Sequence, residues 1–212
     1  MAQGQSTAVD RKAGYHHGAL REALIEAAQQ LISEKGVDGF TMADACRAAG
    51  VSTAAPYRHF ADRQALVEAV AARGFDSLSV RTREARDAHP DGSVASIVAM
   101  GQAYVAFVTR DPALFQLMWG AGAPERQESP MATSGHQCFG VLLQAVDAFR
   151  REQGLEATDT LAIAVPLWTI VHGTASLVLG ERFEKVAPGT DVDRLVEHTT
   201  RAYLTGLVRG NR

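Results

Sequence analysis

From about Gly18 onward, apolar residues return every three or four positions, and no stretch shows the two-residue alternation of a half-buried strand. Between Gly18 and Lys35 the stripe is Leu20, Leu24, Ile25, Ala28, Leu31 and Ile32, and Gly36 stands where a helix C-cap is expected. Such a chain folds as packed helices. With 212 residues, 46% hydrophobic and 21% charged, it is long enough for a sizeable core, which excludes disordered and fibrous architectures. Its two cysteines, Cys46 and Cys138, lie far apart without CxxC spacing, so no disulfide scaffold, zinc site or redox motif is expected.

The longest uncharged stretch, Thr160 to Gly180, is 21 residues between Asp159 and Glu181. It contains Pro166, His172 and Gly173 and lacks a flanking Lys/Arg cluster, so it reads as a helix buried in a core or a dimer interface and not as a membrane span. Residues 1–14 are polar, with no apolar segment of signal-peptide type, and read as a disordered arm on a cytoplasmic protein. No GxSxG, phosphate-binding glycine loop or HExxH is present, so neither an enzyme nor a cofactor or metal site is expected.

Thr41 fits as the N-cap of a short helix, Met42 to Ala49, closed by Gly50. Ser52 or Thr53 then caps a second short helix reaching Phe60, and a long helix runs from Arg63 to about Ala88. This spacing is that of a helix-turn-helix. A reading helix needs small residues at its front, so that the backbone approaches base edges, and Thr53, Ala54 and Ala55 meet that need. Tyr57, His59 and Arg63 add donors suited to phosphates. The same spacing also suits a purely structural helical hairpin, and geometry alone leaves both open.

The run from Phe40 to Leu66, FTMADACRAAGVSTAAPYRHFADRQAL, resembles the DNA-binding domain of TetR-family transcriptional regulators, with likeness extending from Tyr15 to about Phe75. Two positions depart from the common pattern. Arg63 stands where Lys is usual, and Pro56 replaces an apolar residue within the first turn of the recognition helix, where a missing N–H costs little. The resemblance implies double-stranded operator DNA as partner and a DNA-facing set of Thr41, Arg47, Ser52, Thr53, Ala54, Ala55, Tyr57, Arg58, His59 and Arg63. Within that set Thr41 donates to a phosphate, Thr53, Ala54 and Ala55 face the major groove, and Tyr57, His59 and Arg63 fix the register. Arg58 reads either as a guanine reader or as a phosphate contact, and Arg47 as a phosphate contact or a surface charge. Val51, Cys46 and Phe60 are core positions. The cations and imidazoles from Arg11 to His17 read either as a DNA-tracking arm or as a solvated tail.

Beyond Phe75 further helices are expected over Gly92 to Arg110, Asp111 to Trp119, Met131 to Gln153, Thr160 to Glu181 and Asp191 to Val208. Trp168 with His172-Gly173, and the run Leu114 to Gly120, resemble the TetR C-terminal class named for a Trp-His-Gly motif, which implies an effector-binding and dimerisation domain. Long uncharged faces on the last two helices point to a homodimer formed through them. Met100, Tyr104, Phe107, Phe115, Met118, Trp119, Phe139 and Trp168 read either as core or as the walls of a site for a small apolar or aromatic effector, with Tyr104, His172 and Gln137 as polar anchors. Pro166 frees the carbonyl of Ala162 and predicts a kink that borders the cavity.

The expected architecture is thus all-α: an arm (1–14), a helix-turn-helix domain (15–62), a connecting helix (63–88) and a larger effector and dimer domain (89–212). The expected function is a repressor released from a palindromic operator by a small molecule. A ligand-independent architectural or activating DNA binder, and an all-α carrier or enzyme, are the alternatives. The formal charge of -3 offers no broad cationic surface, and residues 1–75 carry eight basic against eight acidic side chains, so a DNA grip has to rely on few cations.

Overall fold

The computed structural model describes residues 8–54, 56–120 and 129–210, with the backbone alone for 8–17. The described residues are all-α: α1 (Ala8–Lys35), α2 (Met42–Ala48), α3 (Arg63–Asp87), α4 (Val94–Arg110), α5 (Pro112–Trp119), α6 (Pro130–Glu152), α7 (Thr160–Leu179), α8 (Arg182–Val186) and α9 (Val192–Gly210). They fall into two compact units whose border lies within α3, between Ala71 and Ala72.

In the first unit the α1 stripe is buried as its period requires, with Leu24, Ile25, Ala28, Leu31 and Ile32 facing Phe40, Met42, Ala45, Cys46 and Phe60 in the core. Gly36 ends α1 with φ 79°, its N–H donating to the Ile32 carbonyl at 2.8 Å. At its other end α1 starts at Ala8 rather than Gly18, so residues 8–14, expected in the arm, continue the helix; no proline stops it from running backward. Residues 1–7 lie outside the described residues.

Thr41 caps α2 through a reciprocal box. Its hydroxyl accepts from the Asp44 N–H at 3.2 Å, while the Asp44 carboxylate accepts from the Thr41 N–H at 2.9 Å. Gly50, at φ 67°, turns the chain out of α2 as Val51 N–H bonds the Cys46 carbonyl at 2.9 Å and Gly50 N–H the Arg47 carbonyl at 3.2 Å, the paired bonds of a Schellman stop. The second short helix expected to reach Phe60 is reduced to a 3-10 turn, Pro56–Arg58. Pro56 has no N–H to offer the Ser52 carbonyl, so the α ladder cannot start upstream; the turn closes instead when His59 and Phe60 both donate to the Pro56 carbonyl, at 2.8 and 2.9 Å.

In the second unit α4 packs against α5, α6, α7 and α9. Gly101 allows this approach, because a Cβ there would lie 3.0 Å from Val171 Cγ1 and 3.1 Å from Val196 Cγ1. Ser93, Asp111, Ser129 and Asp159 cap α4 to α7, and Phe149, Ile163, Leu155 and Leu204 lie in the core between α4, α6, α7 and α9. The helix expected to run to Glu181 stops at Leu179; Gly180 closes it and Glu181, at φ 53°, turns the chain into α8.

Inside α7, Pro166 leaves the Ala162 carbonyl without its helical donor, and the Tyr203 hydroxyl on α9 donates to it at 3.1 Å. Tyr203→Phe is expected to destabilise the protein by about 0.5–1.5 kcal/mol, and by close to nothing in a Pro166→Ala background, where the backbone N–H restored by the alanine takes over the bond. Chemical denaturation of the four proteins of this cycle measures the coupling.

Candidate functional site

The first unit presents a compact polar surface. Ser52, Thr53 and Ala54 are exposed ahead of the 3-10 turn, and Tyr57, 63% exposed, and Arg58 project from it, with His59 half-buried behind. Ala55 lies outside the described residues. Arg47 stands out from α2, paired with Asp44 at 3.2 Å. The Thr41 hydroxyl, within 2.7 Å of the Asp44 carboxylate, and the Thr41 backbone N–H hold that carboxyl below its usual range, so it stays ionised as the helix cap.

Arg63 is held from behind. Its Nε donates to the Phe40 carbonyl at 2.9 Å, its guanidinium lies 4.6 Å from the centre of the Phe40 ring, and one terminal nitrogen is 3.9 Å from Asp38. Sequence reasoning misses Asp38 and Phe40 as its holders; only a cation-to-ring contact across 23 residues reveals them. A lysine has neither the Nε–H that makes this bond nor the planar guanidinium that lies against the Phe40 ring.

The second unit encloses a cavity of about 360 Å³. Of the residues expected at an effector site, Met100, Tyr104, Trp119, Phe139 and Trp168 line it. Phe107, Phe115, Met118 and His172 do not: Phe115 and Met118 are buried in packing, and Phe107 is half-buried elsewhere on α4. Gln137 is exposed on α6 and does not line the wall. The remaining wall comes from Phe75 and Thr82 of α3, Ile97, Gly101, Leu142, Val165, Leu167 and Val171, with Gly135, His136 and Cys138 on α6 and Thr200 on α9. These aliphatic positions escape sequence reading because core and cavity walls share one periodicity.

Behind the wall, Tyr104 Oη and His172 Nδ1 are 2.8 Å apart. The imidazole is surrounded by the rings of Trp168, Phe115, Trp119 and Tyr104, with centroids at 5.2, 5.4, 5.6 and 6.4 Å. Burial pushes His172 below the ordinary imidazole range and Tyr104 well above the ordinary phenol range, so both are neutral near pH 7. Next to this pair, burial raises the Cys138 thiol, opposed by the nearby Ser79 side chain and reinforced by the Asp76 carboxylate. Among the described residues, no aspartate, glutamate, lysine or arginine lines the cavity.

Residues 97–203, half of the chain, match the family called "Tetracyclin repressor-like, C-terminal domain", and residues 24–70 match "Bacterial regulatory proteins, tetR family". The chain belongs to the TetR family. It is a TetR-family transcriptional regulator, with the helix-turn-helix in its first unit, and that family is one of regulators rather than enzymes. AlkX, an HTH-type transcriptional regulator of Mycobacterium tuberculosis, is 26% identical over 106 residues, which span about half of each chain. YobS of Bacillus subtilis, an uncharacterized HTH-type transcriptional regulator, is 21% identical over 92% of this chain and 96% of its own. Among solved structures, a protein of unknown function from Rhodococcus sp. RHA1 superposes with a TM-score of 0.78 at 31% identity, covering 91% of this chain and 97% of that one. A putative transcriptional regulator from Pseudomonas aeruginosa PAO1 shares the fold, with a TM-score of 0.69 at 22% identity over 90% of each chain.

The depressed imidazole has a signed consequence. A histidine held neutral contributes stability that is present above its unfolded value of 6.5 and is lost as pH falls through the lower folded value. The wild-type denaturation midpoint should therefore drop between about pH 7.5 and 5, and His172→Gln should flatten that part of the profile. An unchanged slope in the variant would assign the acid sensitivity to other groups.

Proposed function

We propose that this TetR-family regulator is a repressor that leaves a palindromic operator when a small apolar or aromatic molecule enters the cavity of the second unit. The observation that carries the reading is that cavity, lined mainly by aromatic and aliphatic side chains in the unit that does not hold the helix-turn-helix. An N-terminal segment (1–14), of which residues 8–14 continue α1, a DNA-binding domain (15–62), a connecting helix (63–88) and an effector and dimer domain (89–212) divide the labour. The connecting helix is the lever: α3 opens with Arg63 and carries Phe75 and Thr82 of the cavity wall along one continuous run. A coupling of about 1–3 kcal/mol between the effector and DNA sites gives release by about 5- to 150-fold.

On DNA, Thr53, Ala54 and Ala55 face the bases and Ser52 and Arg58 flank them, while Thr41, Arg47, Tyr57, His59 and Arg63 hold the backbone. The operator being chromosomal, the protein works in the cytoplasm. Two subunits read successive half-sites about 34–36 Å apart, or a multiple of that.

The homodimer forms through α7 and α9. α7 is long and apolar enough to cross a membrane by length and composition, yet only 33% of its most apolar window is buried within the chain. Its inner face, with Ile163, Leu167 and Val171, is core; Leu161 and Leu177 remain 48% and 45% exposed on the outer face, which a second subunit covers.

Leu177→Glu should shift the protein to monomer in sedimentation at micromolar concentration; a variant that stays dimeric would move the interface elsewhere. Footprinting on the DNA upstream of its own gene, with and without a panel of apolar aromatic compounds, tests the release. Tyr57→Phe and His59→Ala should weaken binding on all sequences, whereas Thr53→Ala should change base preference. With so few exposed cations, the salt slope should correspond to only a few phosphates per subunit.

A further inference from the structure

The cavity wall has two properties that together restrict what it can hold. Its faces are mainly rings and aliphatic chains, with Thr82, Thr200, His136 and Cys138 among them, and of its polar residues Tyr104 is the one whose hydroxyl is paired to His172, at 2.8 Å. The described lining carries no fixed charge, and the charged group that acts on it from behind is a carboxylate, that of Asp76 beside Cys138. A carboxylate or ammonium group entering here would lose its hydration without gaining a counter-ion from the wall, a far larger penalty than that of a neutral oxygen.

The hydroxyl is equipped for one more partner. Tyr104 Oη has one proton and two lone pairs, and His172 Nδ1, 2.8 Å away, occupies one of these three positions. His172 can accept the phenolic proton at Nδ1 or, in its other tautomer, donate Nδ1–H to a lone pair. In the first state Oη retains its lone pairs for a ligand donor. In the second it holds one accepted bond and turns its proton to a ligand acceptor, without any group becoming charged. The aromatic cage around His172 keeps the imidazole at that distance while its protons exchange.

We propose that the cavity selects uncharged ring compounds bearing a hydrogen-bonding oxygen, which Tyr104 grips through a histidine tautomer change, and rejects carboxylates of the same size and shape. The selection deepens the reading of this cavity as the effector site and rests on it. In that arrangement Tyr104 is the contact residue, and His172 acts through it as a positioning residue.

Three probes of nearly equal shape test this: 2-acetonaphthone, a neutral ketone; 2-naphthoate, its carboxylate counterpart with as many heavy atoms; and 2-ethylnaphthalene, which has no oxygen. Isothermal titration of the full-length protein at about pH 8, without DNA, reads each affinity. The ketone should bind in the micromolar range, the naphthoate at least about 30-fold more weakly, and the hydrocarbon about 3- to 10-fold more weakly than the ketone. Tyr104→Phe should bring the ketone down to the hydrocarbon and leave the hydrocarbon unchanged, and circular dichroism of that variant establishes its fold. His172→Gln, whose amide can still accept from or donate to Tyr104, should retain most of the ketone preference, and His172→Phe should lose it. Naphthoate binding as tightly as the ketone, or ketone and hydrocarbon binding alike to the wild type, overturns the proposal. DNA release is read separately by adding the ketone to the protein–operator complex. A ketone that binds selectively without releasing DNA refutes effector-driven release and leaves the selectivity standing, whereas indiscriminate probes that do release DNA do the reverse.

Discussion

A hydrogen bond between a phenol and an imidazole, 2.8 Å long and closed in by aromatic rings, is the interaction on which the second unit depends. Its partners lie on α4 and α7, and the rings around it come from α5 as well, so three helices share one polar contact in an otherwise apolar interior. A buried hydroxyl and imidazole are costly when unpaired and specific when paired. Only one packing of these helices brings Tyr104 to His172, which fixes both the register of α4 against α7 and the position of the cavity wall that Tyr104 provides.

The first unit is organised by a different economy of polar groups. Thr41 and Asp44 satisfy one another at the start of α2, the Schellman bonds close its end, and the Pro56 carbonyl serves two donors in the 3-10 turn. Backbone groups are thereby satisfied within a short span, and Thr53, Ala54, Tyr57 and Arg58 remain turned to solvent. Proline fixes φ along this surface, so less backbone freedom is lost when it docks than a glycine- or alanine-built turn would lose.

How far this is legible in the sequence follows from what each signal encodes. Periodicity and caps are local, and Gly36, Thr41, Gly50 and Asp62 mark element ends close to where they occur. The short helix expected through Pro56 shrinks to a 3-10 turn, because Pro56 has no N–H to offer the Ser52 carbonyl and an α ladder cannot run across that point. Pro166 shows the opposite case: the freed Ala162 carbonyl is foreseeable, but its donor, Tyr203, lies 41 residues away and only tertiary structure brings it there. Around the cavity, Met100, Tyr104, Trp119, Phe139 and Trp168 are recognisable by chemistry, whereas Phe115 and His172 stand one layer behind the wall because a helix has only one face toward any given void. Arg63 shows its charge in the sequence but not its anchorage, since the ring that holds it is 23 positions earlier.

The chain contains two tryptophans, and both Trp119 and Trp168 form part of the cavity wall. Indole emission from this protein therefore originates wholly at the cavity and none of it in the first unit. The molecule carries a native optical reporter of cavity occupancy, free of background from the rest of the fold.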